Sequence, residues 1–139
     1  MSDRVRKAVA FATEKHQGQV DRAGQPYIGH PLAVAKMVKG EDEKIVAVLH
    51  DTVEDSDATV EEIRAKFGDK VAEAVSCLTH RPGVPYMDYV KGIKGNNLAR
   101  VVKLADLTHN MDLRRLPEVT DEDMKRIEKY KKAYDYLVS

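Results

Sequence analysis

An all-α, single-domain fold follows from three features of the 139-residue sequence. Apolar residues recur at three- and four-residue spacing through most of the chain. Glycine and proline gather mainly between those stretches. The alternation of a half-buried strand is convincing nowhere. With no repeat, low-complexity run or linker, residues 1–139 are expected to form one compact helical domain of ordinary size.

The elements follow in order. Val5, Ala8, Val9 and Ala12 place a helix over residues 4–15, with Ser2 or Asp3 available as N-cap. Gly18, Gly24, Pro26 and Gly29 make residues 17–29 a loop. Pro31 suits a first helical position for a short helix that Gly40 ends. Ile45, Val46, Val48 and Leu49 then form the most apolar helix, leading directly into His50 and Asp51. Thr59 and Glu62 have capping-box spacing for a helix ending near Phe67-Gly68. Further helices are expected over 71–78, 86–93 and 98–111, and a last amphipathic one, capped by Thr120, runs to Leu137.

Composition excludes more than it identifies. The 42% hydrophobic and 33% charged balance is that of a globular chain, not a disordered one. Lys plus Arg and Asp plus Glu each number 23, so the formal net charge is zero. That argues against partners held by bulk charge, such as nucleic acid or an anionic membrane surface. A single cysteine, Cys77, allows no internal disulfide. There is no long apolar run and no signal-peptide pattern at the start, so a cytoplasmic location is expected.

Chemistry is suggested by polar residues where the periodicity predicts core. His50 and Asp51 close the most apolar helix, and Asp106 lies within VVKLADLTHNM, four residues after Val102. Buried carboxylates are costly unless they are paired or bound to a cation. His30, at a loop-to-helix junction, could reach the same place. The four fit one divalent ion, and a set without thiolate suits Mn²⁺, Fe²⁺ or Co²⁺ better than a structural zinc. The plainer alternative is that the histidines are satisfied core residues and the aspartates cap helices or pair with lysines. In HDTVEDSD, Glu54 lies four after His50 and Asp55 four after Asp51, which would stack both carboxylates on the faces of the presumed ligands. Such a pair could orient and deprotonate a water. Lys103, Arg100 and Arg81 are expected as solvated surface charges, and Arg114-Arg115 as a helix-end pair. His16, His80 and His109 are expected to be structural or surface residues, and Tyr130, Tyr134 and Tyr136 to pack.

In the order H…HD…D, His30, His50-Asp51 and Asp106 resemble the HD metal-dependent phosphohydrolases. The segments HQGQ (16–19), GQPYIGHP (24–31), VLHDTVED (48–55), FGDKVAEAV (67–75) and VKLADLTHNM (102–111) more narrowly resemble the hydrolase domain of RelA/SpoT-type alarmone enzymes and the small stand-alone alarmone hydrolases. That resemblance implies a helical HD fold holding one Mn²⁺ on His30, His50, Asp51 and Asp106. It places Glu54 and Asp55 on the attacking water, Asn110 close to the nucleotide and Arg22 beside the nucleobase. The implied reaction removes the 3′-pyrophosphate from guanosine tetra- or pentaphosphate, with no synthetase function.

Two positions depart from the pattern. Asp21 stands where an arginine ordinarily precedes the Arg22 position, and the usual DRLHN is Asp106-Leu107-Thr108-His109-Asn110. The rival expectations are therefore an HD phosphohydrolase for another nucleotide and a non-catalytic sensor of metal and nucleotide. The intact Glu54-Asp55 pair favours catalysis. Oligomeric state is left open by the sequence.

Overall fold

The computed structural model describes residues 1–139, and all its regular elements are helices, apart from one isolated antiparallel bridge between Val20 and Pro26. Helix α1 (Asp3–Lys15) begins where Ser2 Oγ accepts the Val5 N–H at 3.2 Å, and it buries Val5, Ala8 and Ala12. The loop that follows turns at Gly18 and Gly24, whose φ values of 83° and 82° are unfavourable for residues with a Cβ. Helix α2 (Gly29–Lys36) starts two residues before Pro31, so the proline lies within the first turn rather than at its first position.

Gly40 does not terminate α2, which stops at Lys36. It stands instead at the N-cap of α3 (Glu41–Leu49), where Glu43 Oε2 accepts the Gly40 N–H at 3.4 Å. Ile45 through Leu49 are five consecutive buried residues, the signature of a helix enclosed on all sides. Helix α3 is that central element, packed against α1, α2, α6 (Asp69–Leu78) and α8 (Asn97–Asn110).

The helix does not continue through the acidic segment. The chain turns at His50-Asp51 and resumes as a single helical turn, α4 (Thr52–Asp55). Thr52 Oγ1 donates to the Leu49 carbonyl at 2.8 Å, and Ser56 Oγ donates to the Thr52 carbonyl at 2.6 Å. Side-chain hydroxyls competing for backbone acceptors in this way weaken a helical ladder and favour a bend. Helix α5 (Val60–Phe67) has its Thr59 cap, with Oγ1 accepting the Glu62 N–H at 3.1 Å. It ends at Gly68, whose φ is 96°.

Helix α7 (Tyr86–Lys94) leads to α8, which is capped by Asn96 Oδ1 on the Ala99 N–H. After a 3₁₀ turn (Leu113–Arg115), Thr120 and Asp123 form a reciprocal capping box for α9 (Asp121–Val138). Helix α9 packs on α7 and α8. No helix is long and apolar enough to cross a membrane. What matters for function is that α2, α3 and α8 each pack against the other two. One polar residue from each can therefore reach a common point.

Candidate metal centre and its cleft

That common point is occupied by His30 from α2, His50 at the end of α3 and Asp106 from α8, all buried. One donor atom from each lies within 4.8 Å of the others. His30 Nε2 is 2.7 Å and His50 Nε2 is 3.3 Å from Asp106 Oδ1. Asp51 stands at the edge, its Oδ2 3.1 Å from His50 Nε2 and 3.9 Å from His30 Nε2. Donors about 2.1 Å from a shared ion stand roughly 3–3.5 Å apart, so the spacing fits a divalent cation.

The surrounding hydrogen bonds hold these atoms in place. His50 Nδ1 faces the Ala47 carbonyl, which leaves Nε2 to point at the carboxylates. Lys103 Nζ donates to Asp106 Oδ2 at 2.9 Å, and Asn110 Nδ2 donates to Asp106 Oδ1 at 3.1 Å. The Tyr27 hydroxyl donates to Asp51 Oδ2. His109 Nδ1 is 2.7 Å from His30 Nδ1.

The charges fit a cation as well. Burial alone would raise the Asp106 pKa, but Lys103 and His50 hold it well below the carboxylate range. Burial is likewise outweighed at Asp51, which His50 brings down to about 2. The two carboxylates in turn raise His50 above the ordinary imidazole value against its own burial. They draw a proton onto His50. A divalent ion answers the same negative charge and leaves the imidazole nitrogen free as a ligand.

Glu54 and Asp55 have different partners, although the Asp55 N–H still reaches the Asp51 carbonyl at 3.0 Å, which keeps the four-residue spacing of that pair. Glu54 Oε1 accepts the His80 N–H at 2.7 Å, tying α4 to the loop after α6. Asp55 is exposed as a residue, yet desolvation of its carboxyl together with the Asp51 and Glu54 charges raises its pKa to about 6. Its backbone carbonyl accepts from Gln19 Nε2 at 2.8 Å.

His30 and Asn110 also line a cleft of about 330 Å³, walled by the α1–α2 loop, the 3₁₀ turn and the start of α9. Arg22, Arg115, Arg126 and Tyr130 face it. Each arginine already has a partner. Arg22 and Arg126 pair with the buried Asp123, and Arg115 lies 3.9 Å from Asp21 Oδ2. Asp21 Oδ1 accepts the Ala23 and Gln25 N–H groups at 2.9 and 3.0 Å, so this side chain shapes the loop as well as charging it.

Several side chains lie where the sequence did not put them. Lys103 is not a surface charge: it is buried beside Asp106, with its ammonium 5.2 Å from the centre of the Tyr89 ring. Its i, i+3 spacing from Asp106 in an apolar helix was the available signal. Arg114 and Arg115 do close a short helix, the 3₁₀ turn, but Arg115 is more than a solvated charge: its Nη1 donates to the His109 carbonyl at 3.0 Å and the residue faces the cleft. His109 is a neighbour of the centre, and Tyr27, a loop residue to which nothing was assigned, touches Asp51. His16 is structural as expected, buried and packed on Tyr27.

Helical architecture, paired histidines and inward-facing aspartates define a class, and comparison with known proteins bears it out: the family described as HD domain matches residues 8–91, and the chain belongs to it. Within that class, the chain is 37% identical over 139 residues to the zebrafish (Danio rerio) guanosine-3′,5′-bis(diphosphate) 3′-pyrophosphohydrolase MESH1, spanning 89% of this chain and 76% of that one. It is 36% identical over 137 residues to a probable enzyme of the same name from Synechocystis, spanning 87% of this chain but only 18% of that much longer one. A solved structure described as a metazoan ortholog of SpoT that hydrolyses ppGpp superposes with a TM-score of 0.82 at 25% identity, over 99% of this chain and 86% of the other.

Proposed function

We propose that this protein is a metal-dependent nucleotide phosphohydrolase whose substrate is guanosine tetra- or pentaphosphate, with pyrophosphate leaving from the 3′ position. The observation that carries this reading is the buried His30–His50–Asp106 cluster at the edge of an arginine-lined cleft. The names of the zebrafish and Synechocystis relatives support the choice of substrate.

His30, His50, Asp51 and Asp106 would hold one divalent ion; the donor set suits Mn²⁺, Fe²⁺ or Co²⁺, and the family resemblance selects Mn²⁺ among them. Such an ion, when bound, polarises a phosphoryl oxygen and brings the pKa of a water towards neutrality. The residues do the rest. Asp55 takes a proton from the attacking water as its oxygen adds to the phosphorus on the 3′-oxygen. The bond from that phosphorus to the 3′-oxygen breaks, and a proton returns to the ribose. Glu54 fixes the acidic turn through His80. Asn110 and Arg22 bind the nucleotide, with Arg115 and Arg126 beside them.

The whole chain carries no net field, so phosphate recognition rests on these local arginines. Partners are small nucleotides rather than nucleic acid or membrane, and the location is cytoplasmic. One observation favours a second substrate reading: Asp21 and Asp123 already answer the cleft arginines, which suits a nucleotide bearing less charge at that end.

The test is turnover of metal-free protein reloaded with Mn²⁺, against guanosine tetraphosphate, guanosine pentaphosphate and singly phosphorylated nucleotides, with pyrophosphate and phosphate quantified separately. Pyrophosphate released from the first two alone supports the assignment. Cleavage of other nucleotides only would replace the substrate, and absence of turnover with metal bound would leave the sensor.

A further inference from the structure

The two histidines of the centre are not held alike. His50 Nδ1 faces the Ala47 carbonyl, an acceptor that can only be met by an N–H, so Nε2 of a neutral His50 is the free lone pair. His30 has no such carbonyl. Its Nε2 faces Asp106 Oδ1 at 2.7 Å, and its Nδ1 faces Nδ1 of His109 at 2.7 Å. The His30 and His109 rings lie 29° from parallel, with centroids 4.9 Å apart.

We infer that His109 is the positioning residue of the metal centre, serving as the hydrogen-bond acceptor that fixes the ligating tautomer of His30. The inference rests on the proposed metal site. To present the Nε2 lone pair, neutral His30 must carry its proton on Nδ1. That proton needs an acceptor, and the atom in place is His109 Nδ1, which therefore carries the lone pair. His109 is then the Nε2–H tautomer.

The end of α8 keeps the ring where this requires. Arg115 Nη1 donates to the His109 carbonyl at 3.0 Å, anchoring the last turn of the helix. Asp106 and His109 are three residues apart on α8. One helix face thus supplies both a ligand and the group that orients the ligand from α2. Partners that orient a metal-ligating histidine in this way typically contribute 10- to 100-fold to affinity.

The test compares His109→Leu, which removes the acceptor, with His109→Asn, whose amide oxygen occupies nearly the same position as Nδ1. Metal-free proteins are titrated with Co²⁺ at neutral pH and followed by visible absorption. The Leu variant should bind Co²⁺ roughly 10- to 100-fold more weakly, and the Asn variant within about threefold of wild type. At saturating metal the Leu variant should keep the wild-type KM for nucleotide. Equal loss in both variants, or loss in neither, overturns the acceptor role.

A second measurement does not depend on how the variants fold. In Zn²⁺-loaded wild type, ¹⁵N spectra of the imidazoles should show His30 protonated at Nδ1 and His109 protonated at Nε2. A proton on His109 Nδ1 in that state overturns the inference. Failure of wild type itself to bind Co²⁺ or Zn²⁺ would overturn the metal centre and this role with it.

Discussion

Lys103 and Asp106 form an ion pair inside the protein, Nζ to Oδ2 at 2.9 Å, with both side chains buried one turn apart on α8. Lys103 holds one carboxylate oxygen, and the other is turned to His30 and His50. Replacing Lys103 with Met should leave a buried carboxylate short of its main counter-charge. The expected cost is about 3 kcal/mol, the scale for breaking a buried pair from one side. Urea unfolding in EDTA measures it. Added Mn²⁺ should recover part of the loss, because a cation on Oδ1 replaces some of the missing positive charge.

The different settings of Glu54 and Asp55 separate their expected phenotypes. Asp55→Asn should lower turnover by roughly 10²–10⁴, the range for a lost proton acceptor, with Mn²⁺ affinity unchanged. Glu54→Gln retains an oxygen for the His80 N–H and should cost less. Steady-state kinetics on both, with a metal titration alongside, decides the matter. Equal losses would place both carboxylates on the reacting water.

Asp21 offers a test of charge in the cleft. Asp21→Asn keeps an oxygen for the Ala23 and Gln25 N–H groups while removing the charge beside Arg115. At ~8 Å and an effective dielectric near 20, removing one negative charge is worth about 2 kcal/mol before screening by salt. The kcat/KM for guanosine tetraphosphate should therefore rise roughly tenfold, with a smaller gain for singly phosphorylated nucleotides. Asp21→Arg is the coarser variant, because it also removes the bonds that shape the turn.

A fourth expectation concerns acid stability. Arg4 of α1 bonds Glu41 and Asp42 at the start of α3, at 2.7 and 3.0 Å, and these contacts lower the pKa of both carboxyls. A carboxyl whose pKa is depressed in the folded state adds stability above its unfolded value, near 4, and loses it as pH falls through the folded value. Arg4→Ala should thus be less stable than wild type at neutral pH, with the difference shrinking below about pH 4. Urea midpoints from pH 7 to pH 2.5 test the sign. A gap that widens in acid would contradict it.

Local signals located most of the helices and caps. Ser2, Thr59 and Thr120 all cap through side-chain oxygens, and the most apolar segment became the enclosed helix α3. His30, His50 and Asp106 were legible because a polar residue in a core register needs a partner. The break after Leu49 was not, since periodicity does not register the turn at His50-Asp51, where the Thr52 hydroxyl takes the Leu49 carbonyl. Lys103 and His109 escaped for another reason. A lysine or histidine on a helix is ordinarily solvated, and only the packing of α2 and α7 beside α8 decides otherwise.

The α1–α2 loop is closed on itself at its base. The Gln19 carbonyl accepts the Tyr27 N–H at 2.9 Å, and the Asp21 N–H donates to the Gln25 carbonyl at 2.8 Å. Gln19 and Tyr27 then fasten that base to the acidic turn, through the Asp55 carbonyl and the Asp51 carboxylate. Residues 20–26 are thus held at their base, while Asp21 and Arg22 reach Arg115 and Asp123 across the cleft. On the proposed function, substitutions in this segment would change which nucleotide is admitted and leave Asp51 and Asp55 in place beneath it.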